Sequence, residues 1–540
     1  MNKYIVLPTL LAINNGVLNA QEEKRDVQEK PNIICIVCED ISPMIGCFGD
    51  RIAVTPNLDE FSKGAIRYTN MFSNVGVSSP SRYALITGRY PMADGANYMR
   101  TTGVPEQKPK GISPYSVIVS PEIKCYTELL RQSGYYCTNN SKTDYQFDVP
   151  ATAWDECSNK AHWKNRPSGV PFFAIFNLFV THESQVWERT NKELSVDPND
   201  IIVPPYYPDN KIIRHDMAVA YSNITEMDKQ FKKLIDELEE SGEKDNTIII
   251  WYSDNGGPLP FHKREIYDRG TRVPFMISLP DGYKAGSVSD QLVAFMDIPA
   301  TILSLAGIET PRYMHGQAFL GKYKSKKERE YVYGGRDRMD ECIDKQGYIR
   351  DKHYRYIRNY YPGTCNYLNV GYRLNMPMMQ NIIQMHNDGL LSSVQASFFD
   401  NQRPAEEFYD LRKDPYELHN LIEDADYSDE IKRLRSEYDE WINKYMDNWL
   451  ISERENIARM LPDGKQPKVE TPQIQIEDGK AIISTKTKGA SINYRLVYEN
   501  GEKSRWYIYS QPIPIETSAN IEAVGARIGY KDSDIKLLAD

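Results

Sequence analysis

Residues 77–89 read VSSPSRYALITGR. Pro80 suits the first position of a helix, with Ser79 placed to cap it and Gly88 placed to end it. Ser78 then stands just outside a helix amino terminus, where unpaired N–H groups and the helix dipole attract a tetrahedral anion. Arg82, one turn further in, adds a charge-assisted contact. An ordinary cap uses the same residue types, so this segment alone leaves both readings open. Three more segments, 32–40 (NIICIVCED), 172–183 (FFAIFNLFVTHE) and 247–255 (TIIIWYSDN), are apolar runs rich in branched or aromatic residues that stop at polar groups. Those groups are Glu39-Asp40, His182-Glu183 and Asp254-Asn255.

Continuous apolar strands separated by long helical stretches, such as 216–241, indicate an α/β fold with a mainly parallel central sheet flanked by helices. In such sheets ligands sit beyond the carboxyl ends of the strands. The three polar tips are therefore expected to converge on one crevice, although Glu39 and Asp254 lie more than 200 residues apart. From about residue 323 shorter strands appear near 331–335 and 354–358, followed by a charged amphipathic helix near 428–447, which indicates a smaller α+β subdomain. Residues 461–472 (LPDGKQPKVETP) suit an exposed linker. Beyond them, 473–540 alternates apolar and polar residues between turn signals, as a small all-β module does.

With 540 residues and 41% hydrophobic composition the chain can bury a large core and divide into several domains. Its net charge of −10, without a lysine- or arginine-rich block, excludes a protein that holds nucleic acid by bulk phosphate neutralisation. Any anion it handles must meet local positive charge. The amino terminus has a lysine, an apolar stretch over 4–13 and a small residue at Ala20, the pattern of a signal peptide ending there. No later run approaches the roughly 20 apolar residues of a membrane helix, so an exported protein without integral membrane contact is expected. Eight cysteines are too few for a disulfide framework. Cys35 and Cys38, three apart on a strand, face opposite sides and make a poor metal clip.

The segment S-x-P-S-R-x-x-x-I-T-G-R at 78–89 resembles the signature of the formylglycine-dependent sulfatases of the alkaline phosphatase superfamily, in its serine-type form. The resemblance extends through PNIICIVCEDIS, TPNLDEFSKGAIRYTNMFSN, SDNGG, HKREIYDRGTRVP, DIPATILSLAGI and EEFYDLRKDPYELHNL. Their joint order carries more weight than any one of them. It implies an alkaline phosphatase-like catalytic domain over 28–322 and a C-terminal subdomain over 323–460. It also implies that a serine-type sulfatase-maturating enzyme oxidises Ser78 to formylglycine, whose hydrate attacks sulfur. Calcium is implied at Glu39, Asp40, Asp254 and Asn255 together with residue 78. These side chains offer only oxygen donors, which suit a hard cation rather than zinc; the family usually has aspartate at position 39. Lys142 and Lys263 take the positions that hold sulfate oxygens, and His182 that of the group protonating the departing oxygen.

One departure concerns turnover. Many sulfatases have Lys-x-His where this chain has Lys142-Thr143-Asp144, so Asp144 or His262 would have to serve as the base. The expected substrate is a sulfate ester or sulfamate of a carbohydrate such as a glycosaminoglycan, with Arg100, Asp144, His262, His315 and Arg403 as candidate substrate-side groups. A phosphodiesterase or phosphonate hydrolase of the same superfamily, and a non-catalytic sulfated-glycan binding protein, are the alternatives. The terminal module, with AIISTKTKGASINYRL and Trp506-Tyr507, resembles the small β-domain that ends chitobiases and hexosaminidases.

Overall fold

The computed structural model describes residues 30–538 apart from 104, 106, 107 and 516–518, so the expected signal peptide lies outside the described residues. The main sheet has eight strands: β1 (Asn32–Cys38), β2 (Ile66–Phe72), β3 (Tyr136–Asn140), β4 (Glu156–Cys157), β5 (Phe172–Leu178), β6 (Thr247–Ser253), β7 (Arg272–Ser278) and β8 (Val288–Ala294). Their order is β4-β3-β5-β1-β6-β7-β2-β8. Every pairing is parallel except those of β7, which runs against both β6 and β2. The central strand β1 is buried along its whole length, which explains its uninterrupted apolar sequence. Its residues alternate between two cores, Ile33, Cys35 and Val37 on one face and Ile34, Ile36 and Cys38 on the other. All eight cysteines are free.

The helix Lys211–Glu240 covers the second face. Asn210 caps it by accepting from the backbone of Ile212 and Ile213, which satisfies two of its orphan donors. Buried Asp228 ties it to the helix Pro56–Phe61 by accepting from the amides of Asn57 and Leu58. Among the described residues no helix is long and apolar enough to cross a membrane.

A second, antiparallel sheet has the order β12-β11-β10-β9, with β9 (Val332–Arg336), β10 (Gln346–Arg350), β11 (Tyr354–Asn359) and β12 (Glu406–Asp410). The helix Ser428–Tyr445 packs on it through Ile431, Leu434, Tyr438 and Trp441. This sheet braces the loop that leads from β2 to Ser78. Gly335 donates to Asn74 O at 3.0 Å, and Asn74 Nδ2 donates to Tyr333 O at 2.8 Å. Buried ion pairs join the two parts as well, Arg336 with Glu265 and Arg355 with Asp268.

The terminal module forms two small antiparallel sheets, one of three strands and one of four, around Ile483, Ile492 and Ile521. It is fastened to the main body. Arg131 donates to Trp506 O and Asn493 Oδ1, and Asn493 Nδ2 donates to Ala151 O. The stretch expected as a free linker takes part: Val469 is buried, and Lys531 N donates to Pro467 O. Its prolines and charges gave no sign of this, because the pairing partner lies more than sixty residues further on.

A Cβ at Gly334 would meet Asn74 O at 2.1 Å and Tyr348 Cε1 at 2.6 Å. Gly334→Ala should therefore cost about 1–3 kcal/mol of stability by forcing the second sheet off the Ser78 loop. An unchanged urea midpoint would show that this contact is not a tight one.

Candidate active site

The helix bearing Ser78 starts two residues earlier than its sequence indicates. It spans Ser78–Thr87, Val77 is the N-cap with extended backbone, and Gly88 closes it with φ 71°. Pro80 is consequently the third helical residue and Ser79 is not the cap. Proline is tolerated there because the first-turn N–H it lacks would have had no intrahelical partner. Three contacts hold the approaching loop: Ser73 N to Thr271 O, Gly335 N to Asn74 O, and Arg264 N to Gly76 O. Gly76 is required for the last, since a Cβ there would meet Glu265 O at 2.2 Å.

Ser78, only 1% exposed, donates to Asn255 Oδ1 at 3.1 Å. The expected convergence of the tips of β1 and β6 is present. Asn255 Nδ2 donates to Asp40 Oδ1 (2.9 Å), and Asp40 N approaches Asp254 Oδ1 (3.3 Å). Glu39, Asp40 and Asp254 are fully buried, and each meets a cation. Lys142 Nζ lies 2.6 Å from Glu39 Oε2, Lys263 Nζ 2.7 Å from Asp40 Oδ2, and Arg82 Nε 2.9 Å from Asp254 Oδ2. Arg82 also donates to Asn177 Oδ1 of β5 at 2.7 Å.

Three residues with no role assigned from the sequence complete this network. Glu183 accepts from Lys263 (3.2 Å) and from Arg264 (2.9 Å), and its own amide donates to Asp40 Oδ2. Arg264 reaches on to Asp340 (2.7 Å). The signal for Glu183 was its place in the polar tip after β5; Arg264 and Asp340 had no local signal. Burial alone would raise the Glu183 carboxyl, but Arg264 and Lys263 outweigh it and hold it well below the usual range. Burial would likewise lower the Lys263 ammonium, yet Asp40 and Glu183 hold it charged. Glu39 differs: burial pushes its carboxyl up, and crowding by Asp254 adds to this despite Lys142 and Arg82.

His182 stands at the opening with Nε2 3.9 Å from Glu39 Oε2. Its Nδ1 accepts from Ser184 N and lies 3.1 Å from Ser184 Oγ, which assigns the ring proton to Nε2, facing the centre. Burial and then Lys263 push its pKa well below the ordinary value, so the ligand-free imidazole is neutral. Arg100 and Asp144 form a bidentate pair at 2.8 Å on the rim. Burial would raise the Asp144 carboxyl, but Arg100 and Lys142 hold it far below the range of a general base.

The other candidates stand apart. His262 bonds through Nε2 to Tyr206 Oη at 2.9 Å, and burial and Arg269 push it down to about 3. No hydrogen bond links it or Asp144 to Ser78. His315 packs at the far end of the Ser78–Thr87 helix, accepting from Tyr90 N against the rings of Tyr90 and Tyr445. Arg403 is buried against Asp344, Tyr361 O and Thr364, where it ties a loop of the C-terminal part. Lone histidines and arginines carry no sequence mark that separates such structural duty from ligand contact.

The donor set fits a hard divalent cation. Three carboxylates and one amide present only oxygen, and buried Glu39 Oε1 has no hydrogen-bond partner. Among the described residues no group of three or more His, Cys, Asp or Glu stands open for a metal, since Lys142, Arg82 and Lys263 already engage these carboxylates.

A mainly parallel sheet presents a hydroxyl at a helix start, faced by buried acids and cations, an arrangement suited to a hydrolase of tetrahedral oxyanion esters. The sulfatase family model matches residues 31–308, and a model described as N-sulphoglucosamine sulphohydrolase, C-terminal, matches 259–387. An ulvan-active sulfatase of Formosa agariphila is 38% identical over 543 residues, spanning 94% of this chain and 90% of its own. The chain belongs to the sulfatase family, and the enzyme is a sulfuric ester hydrolase. Its fold is shared by a structure in complex with its substrate D-glucosamine-2-N,6-O-disulfate (TM-score 0.54, 18% identity, 78% of this chain and 99% of that one). A phosphonate monoester hydrolase of Agrobacterium radiobacter shares it too (TM-score 0.56, 16% identity, 78% and 97%), so the fold alone does not choose the ester.

The displaced histidines set a pH dependence. His262 and His315, both held near 3, are neutral in the folded state and charge on unfolding below about 6.5. The stability they give is present above that value and is lost as pH falls, by about 2 kcal/mol each at pH 5. His315→Gln keeps an acceptor for Tyr90 N and should lose correspondingly less stability between pH 7.5 and 5. Equal losses in the variant and the wild type, measured by denaturant titration, would refute the assignment.

Proposed function

We propose that the enzyme is an exported carbohydrate sulfatase that hydrolyses a sulfate ester, or a sulfamate, of a sulfated glycan. In this reading Ser78 is matured to formylglycine by a serine-type maturating enzyme, and Glu39, Asp40, Asp254 and Asn255, with residue 78, hold calcium. The observation that carries it is the Ser78 hydroxyl at a helix start, bonded to Asn255 and ringed by three buried carboxylates and their cations. The leader-like residues 1–20 support export to the periplasm or beyond in a bacterium. The glycan is supported by the relative named for ulvan and the family model named for N-sulphoglucosamine.

The geometry gives each side chain a task. Ser78, at a helix start whose first N–H groups are unpaired, presents its side chain where an anion is favoured. Arg82, fixed by Asp254 and Asn177, keeps Asp254 oriented toward Asp40 and Asn255. Lys142 and Lys263 are short moves from the carboxylates they now neutralise to the oxygens of a sulfate group, which replaces one anionic partner by another. His182 holds a proton on Nε2 at the opening, on the side where the ester oxygen departs. Formylglycine and calcium, when present, supply a hydrated aldehyde as nucleophile and a divalent charge that steadies the sulfate. With Asp144 locked to Arg100, restoring the nucleophile calls on a base other than that carboxylate.

Ser78→Ala should retain the wild-type melting temperature and lose sulfate release by at least about a thousandfold. Turnover within a few-fold of wild type would sink the mechanism. Protein matured in a host with the serine-type system should show a mass lower by about 2 Da on the peptide bearing Ser78, whereas an active enzyme with unaltered serine would rule out formylglycine. The substrate is read from sulfate release on a panel of ulvan oligosaccharides and defined sulfated glucosamines.

A further inference from the structure

Phe179 is a large apolar side chain left 50% exposed at the end of the mostly buried strand β5. The strand before it divides cleanly between the two cores, Phe173 and Ile175 on one side and Phe172, Ala174 and Phe176 on the other, yet Phe179 joins neither. It stands on the short 3-10 turn Phe179–Thr181, and its ring lies flat on His182, centroid to centroid 4.8 Å with 17° between the planes. Tyr372 flanks His182 at 6.3 Å, and Trp187 meets Tyr372 edge-on at 5.2 Å. An aromatic collar, half-exposed Phe179 with partly buried Tyr372 and Trp187, thus borders the imidazole that opens onto the centre.

The position of the collar selects its occupant. His182 Nδ1 is engaged by Ser184, so only Nε2 can serve an oxygen leaving sulfur, and it must come within about 3 Å of that oxygen. The ring that carries the oxygen is one bond away and has to lie against the collar. A pyranose offers a face of C–H bonds whose positive edges suit the negative face of a phenyl ring, while its hydroxyls point sideways to water. Burial of an exposed apolar patch beside a polar centre is also the usual make-up of a ligand site.

We infer that Phe179, with Tyr372 beside it, is the stacking platform for the sugar ring that bears the scissile sulfate. The inference rests on the reading of His182 as the proton donor to the departing oxygen. Phe179 touches substrate and takes no part in the bond changes; it sets affinity for the sugar and leaves the sulfate subsite untouched.

The test uses full-length protein carrying Ser78→Ala, so that nothing turns over, with ulvan oligosaccharides, glucosamine 6-sulfate and inorganic sulfate as probes in calorimetry. Adding Phe179→Ala should weaken binding of the sugar sulfate about tenfold and leave inorganic sulfate within twofold, and Phe179→Trp should restore the sugar affinity. In matured enzyme with Ser78 intact, Phe179→Ala should raise KM with kcat and its pH profile unchanged. Equal weakening of sugar sulfate and inorganic sulfate would overturn the inference, as would unchanged affinity for both. A shifted pH profile of kcat at constant KM would also overturn it, because it would make Phe179 packing for His182. If the wild type releases sulfate from no member of the panel, the proposed carbohydrate activity fails and the platform with it. Release by the wild type with no effect of Phe179→Ala removes the platform alone.

Discussion

Three carboxylates, Glu39, Asp40 and Asp254, sit fully buried at the ends of two adjacent strands, and this crowding of like charge governs the rest of the centre. In a low dielectric an unpaired carboxylate costs several kcal/mol, so every one must be met by positive charge with good geometry. The chain supplies Lys142 from beyond β3, Lys263 from beyond β6 and Arg82 from the Ser78 helix. Lys263 in turn is too buried to stand alone, and Glu183, Arg264 and Asp340 continue the alternation outward from it. Charge compensation, rather than apolar packing, fixes the loops that present the reactive side chain.

Backbone strain follows the same map. Of the ten non-glycine residues with positive φ among the described residues, five belong to the charged network of the centre and its rim: Asp40, Arg100, Asp144, Arg264 and Asp340. Each costs on the order of 1–3 kcal/mol and persists only where surrounding contacts over-determine it. The ion pairs are those contacts: Arg100 and Asp144 grip each other from two left-handed residues, and so do Arg264 and Asp340. A chain that needed only stability would not concentrate strain at the mouth of its crevice.

The sheet was legible because a fully buried parallel strand must be apolar at successive positions, so β1, β5 and β6 announce themselves and their polar ends mark the crevice. The start of the Ser78 helix was misplaced by two residues because proline suits any position of the first turn, and capping preference alone does not choose among them. Glu183 and Arg264 went unassigned for another reason. An ion pair between residues 81 apart leaves no periodic or local trace, and the roles of His315, Arg403 and Asp144 depend on such distant partners too. The apparent linker at 461–472 belongs here as well, since the partners that tie it down, Asp148, Thr485, Thr487, Lys531 and Asp534, all lie outside it in the sequence.

Counting the charges in and beside the centre shows what would balance it. Six carboxylates (Glu39, Asp40, Asp144, Glu183, Asp254, Asp340) face five cations (Arg82, Arg100, Lys142, Lys263, Arg264), with His182 neutral. With every carboxylate ionised the excess is one negative charge; at Glu39 burial pushes the carboxyl up, and Asp254 and Asp40 add to it. A divalent cation alone would overshoot to one positive charge, and a sulfate monoester alone would deepen the deficit to two negative. Both together would bring the buried cluster to neutrality and would free Lys142 and Lys263 to turn from carboxylate to sulfate in the proposed reaction. Binding of the two should therefore be mutually reinforcing, for the same electrostatic reason that makes the carboxylates costly to bury in the first place.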